Sequence, residues 1–270
     1  MPLYRCFLVP VLFLVTNRSV SQSTKPDFGF IFSRPQLRFS VNALYCAAAD
    51  ITSVSGPHKL SSSPQIGFEG SVNYLLTISS NWSLLTGINV GVIGRNYDIN
   101  LSGSEFVPPL QYNLDNFGSI TGEKDIWYLK IPIYIQKRWQ IKNTGAFFYF
   151  EGGVYIGFGL NSAGDAGSDY AFYPNGNSVN YLNMSTNLNN NGKPWVGLGA
   201  NFGYQWILKN LNLLGVHFGI NYSHSDVGNG NYTITVPDRN VSSGMYYVKD
   251  QSIRFGFSYQ LTKARKRSLE

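Results

Sequence analysis

Ile126-Trp127-Tyr128-Leu129-Lys130-Ile131-Pro132-Ile133-Tyr134-Ile135-Gln136-Lys137-Arg138-Trp139 is the stretch that decides the fold. Its odd positions Trp127, Leu129, Ile131, Ile133 and Ile135 make one apolar face, while Tyr128, Lys130, Tyr134, Gln136 and Arg138 share the other. A period of two is that of a pleated strand; a helix would instead group positions three and four apart. A tryptophan stands near each end, about one bilayer's worth of tilted strand from the other. The pattern predicts a strand that crosses a membrane. Pro132 has no N–H for a ladder, so a local bulge is expected there, or a missing bond answered by a lumen side chain or water.

The same alternation recurs outward from this stretch, over 37–49, 65–79, 82–96, 146–160, 195–208, 213–225 and 247–261. Phe39 and Val41 oppose Arg38 and Asn42, Phe68 and Val72 oppose Glu69 and Ser71, and Phe255 and Phe257 oppose Arg254. Long Gly/Asn/Ser-rich links alternate with short turns near 80–81, 142–145 and 209–212. Such alternation is what a membrane imposes on a barrel with both ends in the periplasm. The fold expected for 37–261 is therefore all-β: an eight-stranded antiparallel up-and-down transmembrane β-barrel with long external loops and short periplasmic turns. A soluble lipocalin-type barrel alternates too, but its apolar residues must fill the interior. Here the apolar face is bulky and nearly unbroken, and the other face is Gly, Ser, Asn and charge. Trp82, Trp139 and Trp206 fall near short turns and Trp127 and Trp195 near long links, which reads as an aromatic girdle at two interfaces.

Composition agrees. Aromatics make up 15% of the chain and there are 28 Gly, which suits girdles and turns better than helices. A mean hydropathy of −0.11 excludes a helical membrane bundle and leaves a polar-lumened barrel open. Residues 1–21, with Arg5, an apolar run over 7–15 and small Ser19 and Ser21, read as a signal peptide. Residues 22–36, around Phe28-Gly29-Phe30-Ile31-Phe32, read as a periplasmic leader whose middle forms a short strand. Cys6 goes with the signal, which leaves Cys46 alone and excludes an internal disulfide. The net charge of +6 resides largely in Lys263, Arg265, Lys266 and Arg267, so 262–270 is a basic flexible tail and no nucleic-acid-binding face is implied.

Tyr128-Leu129-Lys130-Ile131-Pro132-Ile133 resembles the Tyr-Leu-x-Ile-Pro-Leu stretch of an outer-membrane β-barrel family of Bacteroidetes, labelled porin-like or PorT-like. The resemblance implies a bacterial outer-membrane location, insertion by the barrel assembly machinery, and a porin-type or secretion-accessory role. From the residues themselves, Glu69, Arg95, Lys130, Glu151 and Arg254 lie inward at mid-strand. Side chains just fill an eight-stranded interior, so these five are expected to pair as a lumen charge network. Ser223-His224-Ser225-Asp226 is a thin catalytic candidate, because neighbours on a strand point to opposite faces and His224 cannot serve either serine. His58, His217 and His224 lack metal-ligand spacing. The expected function is non-enzymatic and cofactor-free: a monomeric barrel, surrounded by outer-membrane lipid, that displays loops for an external ligand or supports small-solute passage. An accessory of a protein secretion system, partnered by its components, and a lipid-modifying enzyme are the alternatives.

Overall fold

The computed structural model describes residues 31–32, 34–106, 108–111, 114–115, 126–141, 144–160, 164–172, 178–188, 193–236 and 241–262. The signal over 1–21, most of the leader and all but the first residue of the tail lie outside these. Strands are numbered in chain order. Eight of them, β1 (Gln36–Cys46), β4 (Gln65–Thr77), β5 (Trp82–Ile93), β8 (Ile126–Gln140), β9 (Ala146–Gly159), β12 (Trp195–Ile207), β13 (Leu213–Ser223) and β16 (Ser252–Leu261), form a closed barrel. Every neighbour is antiparallel, and the wall closes where β1 meets β16 from Leu37↔Leu261 to Cys46↔Ser252. β8 comprises 15 residues. At about 3.4 Å each and a tilt near 45° that reaches roughly 35 Å along the membrane normal, enough for the hydrocarbon core.

Alternation dictates which side meets lipid. Val41, Phe68, Ile133, Val154, Leu198, Phe202, Phe218 and Phe257 all stand exposed on the outside, while inward-pointing residues such as Asn42, Glu69, Tyr134 and Asn201 are buried. An apolar surface that encircles the molecule far exceeds what a water-soluble monomer exposes. It is a lipid-facing belt.

Pro132 sits in this wall without a bulge. The β5–β8 register is the same on both sides of it, Thr86↔Ile133 and Asn89↔Lys130, with the two pairs between them missing. The ladder simply lacks bonds opposite the proline, while β9 still pairs Tyr155 with Pro132.

Four long links, expected as loops, contain further strands. β2 (Asp50–Ser55), β15 (Ser242–Lys249), β14 (Asp226–Ile234), β11 (Ser178–Leu188) and β10 (Gly164–Phe172) form a five-stranded sheet in the order β10-β11-β14-β15-β2. β3 (Leu60–Ser63), β6 (Asn96–Leu101) and β7 (Leu114–Asp115) form a second, in the order β3-β6-β7. These orders repeat those of the wall strands to which the chain joins them: β9-β12-β13-β16-β1 and β4-β5-β8. The wall thus continues beyond the membrane as two sheets, a cap on the long-loop end. One consequence corrects the last sequence-derived strand: 247–249 belong to β15, and the membrane strand begins at Ser252.

Both mouths are filled. At the cap end Leu44, Ile93, Tyr128, Tyr155 and Trp195 from the barrel share one apolar core with Tyr97, Phe106, Tyr181, Tyr232, Ile234 and Tyr246 from the cap. At the other end Ile31 and Phe32 form a short 3-10 turn, not the expected strand, and pack on Phe147 and Leu213. Gln36 Nε2 donates to the Ile31 carbonyl at 2.5 Å, which ties that turn to the start of β1.

Candidate functional site

The lumen is where this sequence concentrates polar chemistry, because every second residue of each strand must point there. Glu69 on β4 is its centre. Its carboxylate accepts from Arg254 Nη1 at 3.0 Å, Tyr128 Oη at 2.9 Å, Asn42 Nδ2 at 3.1 Å and Asn89 Nδ2 at 3.3 Å. Lys130 Nζ lies 3.6 Å away, above the Tyr128 ring at 4.0 Å, and is 2.8 Å from Asp250 Oδ2 as an ion pair with no aligned hydrogen bond. Glu151 on β9 is the second carboxylate. It takes a bidentate pair from Arg38 and further bonds from Gln136 Nε2 at 2.6 Å and Asn201 Nδ2 at 3.0 Å. Arg254 Nη2 donates to Asn201 Oδ1 at 2.6 Å and so joins the two halves. The result is one polar column, running from Asp250 at the cap end to Arg38 near the other mouth.

Below Glu151, Arg138 donates to Gln136 and, at 2.8 Å, to Ser83 Oγ, while its guanidinium stacks 4.0 Å from the Phe32 ring. His217 Nε2 is 2.7 Å from Asn42 Oδ1. These groups are buried, so their charges are held by partners instead of water. Glycines leave the room for the large side chains among them. A Cβ on Gly197 would lie 2.2 Å from the Tyr155 ring, and one on Gly157 would lie 2.3 Å from Trp195. A cavity of about 10 Å³ among Arg38, Asn42, Asn89, Pro132 and His217 has room for about one water.

Of the five charges read from the sequence, Lys130 and Arg254 each meet Glu69, and Glu151 joins them through Asn201. Arg95 does not lie at mid-strand. It follows β5, in the link to β6, where the wall passes into the cap. Missing from that reading were Arg38, Arg138 and Asp250. Inward parity marks both arginines, but they stand nearer the strand ends, and Asp250 lies between β15 and β16 in what read as a continuous strand.

The girdle needs one correction. Trp82 and Trp127 are exposed to the lipid side, and Trp139 and Trp206 share their outward parity with partial exposure. Trp195 is buried inside, its Nε1 3.4 Å from Asp250 Oδ2, and shares the cap-end core with Tyr128. Val196 and Leu198 are the outward residues of β12, so an odd-numbered Trp there had to point inward. At the thin catalytic candidate, Ser223 donates its hydroxyl to the Ser225 carbonyl at 2.6 Å while His224 is exposed.

No family model matches this chain, and no curated protein does. Solved structures do. The outer membrane protein OprG from Pseudomonas aeruginosa is similar over 84% of this chain and 95% of its own, at 13% identity and a TM-score of 0.44. A major outer membrane protein from Thermus thermophilus is similar over 84% and 99%, at 11% identity and 0.41, and the outer membrane protein AlkL over 93% and 98%, at 13% and 0.39. Likeness at these values carries nothing about ligands, and the fold rests on the closed strand order and the lipid-facing belt. On that ground the chain is an eight-stranded transmembrane β-barrel protein.

Proposed function

We propose that this barrel is a non-enzymatic anchor that presents its folded cap outside the cell as a binding surface, and that it is not an open pore. The supporting observation is the continuous packing of the lumen: a polar column at mid-membrane, an apolar core across the cap-end mouth, and Ile31 with Phe32 across the other. A solute would have to break ion pairs that are buried and partnered, each at a cost of several kcal/mol. A folded cap, where short turns would have closed the strands, fits display. Purified protein in planar bilayers is expected to give no stepwise current; steady unitary conductance from the intact chain would overturn the reading.

A secretion-accessory role within the Bacteroidetes PorT-like group is the second reading, favoured by the same filled lumen, since an accessory scaffold needs an anchored surface and no channel. Co-purification of secretion components with the intact chain, lost on replacing the cap, would select it.

A further inference from the structure

We propose that the half of the wall nearer the cap carries a binding site for one acyl chain of a membrane lipid, on the outer face where β1 meets β4. This site is separate from the lumen and from the cap surface.

The register defines it. Phe257, Val41, Gly70 and Val90 form one row across four adjacent strands, and Phe255, Ala43, Phe68, Val92 and Trp127 form the next row toward the cap. Most of the belt is bulky, and at its other small spot, the Gly152–Ala200 pair of β9 and β12, the Phe150 ring lies 3.3 Å from where a Cβ on Gly152 would stand. By contrast Gly70 and Ala43, diagonal neighbours on adjacent strands, leave a hollow of about 430 Å³ with Phe255 and Phe257 on one side and Phe68, Val92 and Trp127 on the other.

Gly70 is the telling residue. A glycine in a strand is unfavourable by entropy and contributes no packing, and it often marks a bulge, a tight bend or a close approach; the register through Gly70 is unbroken toward both β1 and β5, so no bulge accounts for it. Gly91, on the adjoining strand β5, has such a reason within the protein, since a Cβ there would lie 2.4 Å from Tyr128 Oη. A Cβ on Gly70 would meet nothing within 4 Å. The protein itself therefore gives no steric reason for glycine at this point, and the neighbour that needs the space comes from outside the wall.

The dimensions choose that neighbour. The floor spans two strands, about 4.8 Å apart, and two side-chain rows, about 7 Å apart along the strand. A helix with its side chains is about 10–12 Å wide and cannot enter. A flexible chain of methylenes can, and the hollow faces hydrocarbon, where such chains are the solvent. Branched and aromatic walls on both sides give it dispersion contacts that the convex belt elsewhere does not offer.

The test uses the full chain reconstituted with dioleoylphosphatidylethanolamine, released into mild detergent and weighed by native mass spectrometry. Gly70→Leu fills the hollow without a clash, Gly70→Ala fills it partly, and Ala200→Leu adds bulk to the outward face of β12 as a control; heat-modifiable gel mobility confirms that each is folded. Wild type and Ala200→Leu are expected to retain one lipid per barrel, Gly70→Ala less, and Gly70→Leu none. Equal retention by wild type and Gly70→Leu, whether of one lipid or none, overturns the site. A lipid-free dimer that Gly70→Leu abolishes also overturns it, and assigns the hollow to a second copy of this chain.

Discussion

Glu69 balances more donors than any other carboxylate among the described residues of the lumen, and its removal leaves the buried Arg254 guanidinium without its carboxylate, while Lys130 keeps Asp250. Glu69→Ala is expected to lower stability by about 3–5 kcal/mol, because the uncompensated charge, and not the lost contact, sets the cost. Urea unfolding from lipid bilayers measures it. The double variant Glu69→Ala/Arg254→Ala should cost less than the sum of the singles; strictly additive costs would show that the two do not act as a pair. Trp195 gives a second expectation at this scale. It lies inside the wall, so phospholipids brominated on their acyl chains should quench the Trp127 contribution to fluorescence and leave that of Trp195 nearly untouched, each isolated by a Trp→Phe variant. Strong quenching of Trp195 would return it to the girdle. Parity alone told the orientations of Glu69, Lys130, Glu151 and Arg254, whereas the partners they chose were not legible. Asn201 links the two carboxylate clusters because β12 lies between β9 and β13 at a given stagger, a fact of the closed barrel and not of any one strand.

At the scale of the element, the membrane strands were readable because lipid on one side and lumen on the other force a strict period of two. Val154, on β9 between Ile133 and Leu198, tests that pressure directly. Val154→Arg is expected to cost about 2–4 kcal/mol on folding into bilayers, as a charge near the midplane of the lipid face does, and Val154→Leu next to nothing. Equal small losses from both would place this face in water. The cap strands obey a weaker rule, and most escaped a sequence reading. β2 offers only Ile51 and Val54 as bulky apolar residues, and β10 has register shifts near Asp169 that spoil its alternation. Gly and Asn at successive positions of β14 read as loop, yet Tyr232 and Ile234 alternate there, with Val236 just beyond its end, and Tyr246 and Val248 do so on β15. That short alternation was the available signal. Where β15 meets β2, Lys249 Nζ bonds Asp50 Oδ2 at 2.6 Å, and this hydrogen bond raises the ammonium's pKa above its ordinary value. The pair is half in solvent, so its stabilisation is small.

For the whole molecule the decisive question is whether barrel and cap are one folding unit or two. The chain crosses between them through short links, 47–49, 94–95, 224–225 and 250–251 among them, and links of this length alone do not couple two stabilities. The shared core does. Tyr128, Tyr155 and Trp195 from the wall pack in one apolar cluster with Tyr97, Tyr232 and Tyr246 from the cap, and the Tyr128 and Trp195 rings meet edge-on at 6.5 Å. Neither side can unfold without exposing the other's aromatic surface to water, so the two should melt together. Tyr232 is the place to ask, because it lies within the cap and outside the lipid-facing belt. Tyr232→Ala removes a buried aromatic ring, a change that costs about 3–5 kcal/mol when the site does not collapse. If cap and barrel are one unit, that loss lowers the temperature at which the barrel itself shifts on heat-modifiable gels, and the melt stays a single transition. A variant whose cap becomes protease-sensitive while the barrel's transition stays where it was would show two independent bodies, and the cap would then be a separable domain carried by the wall.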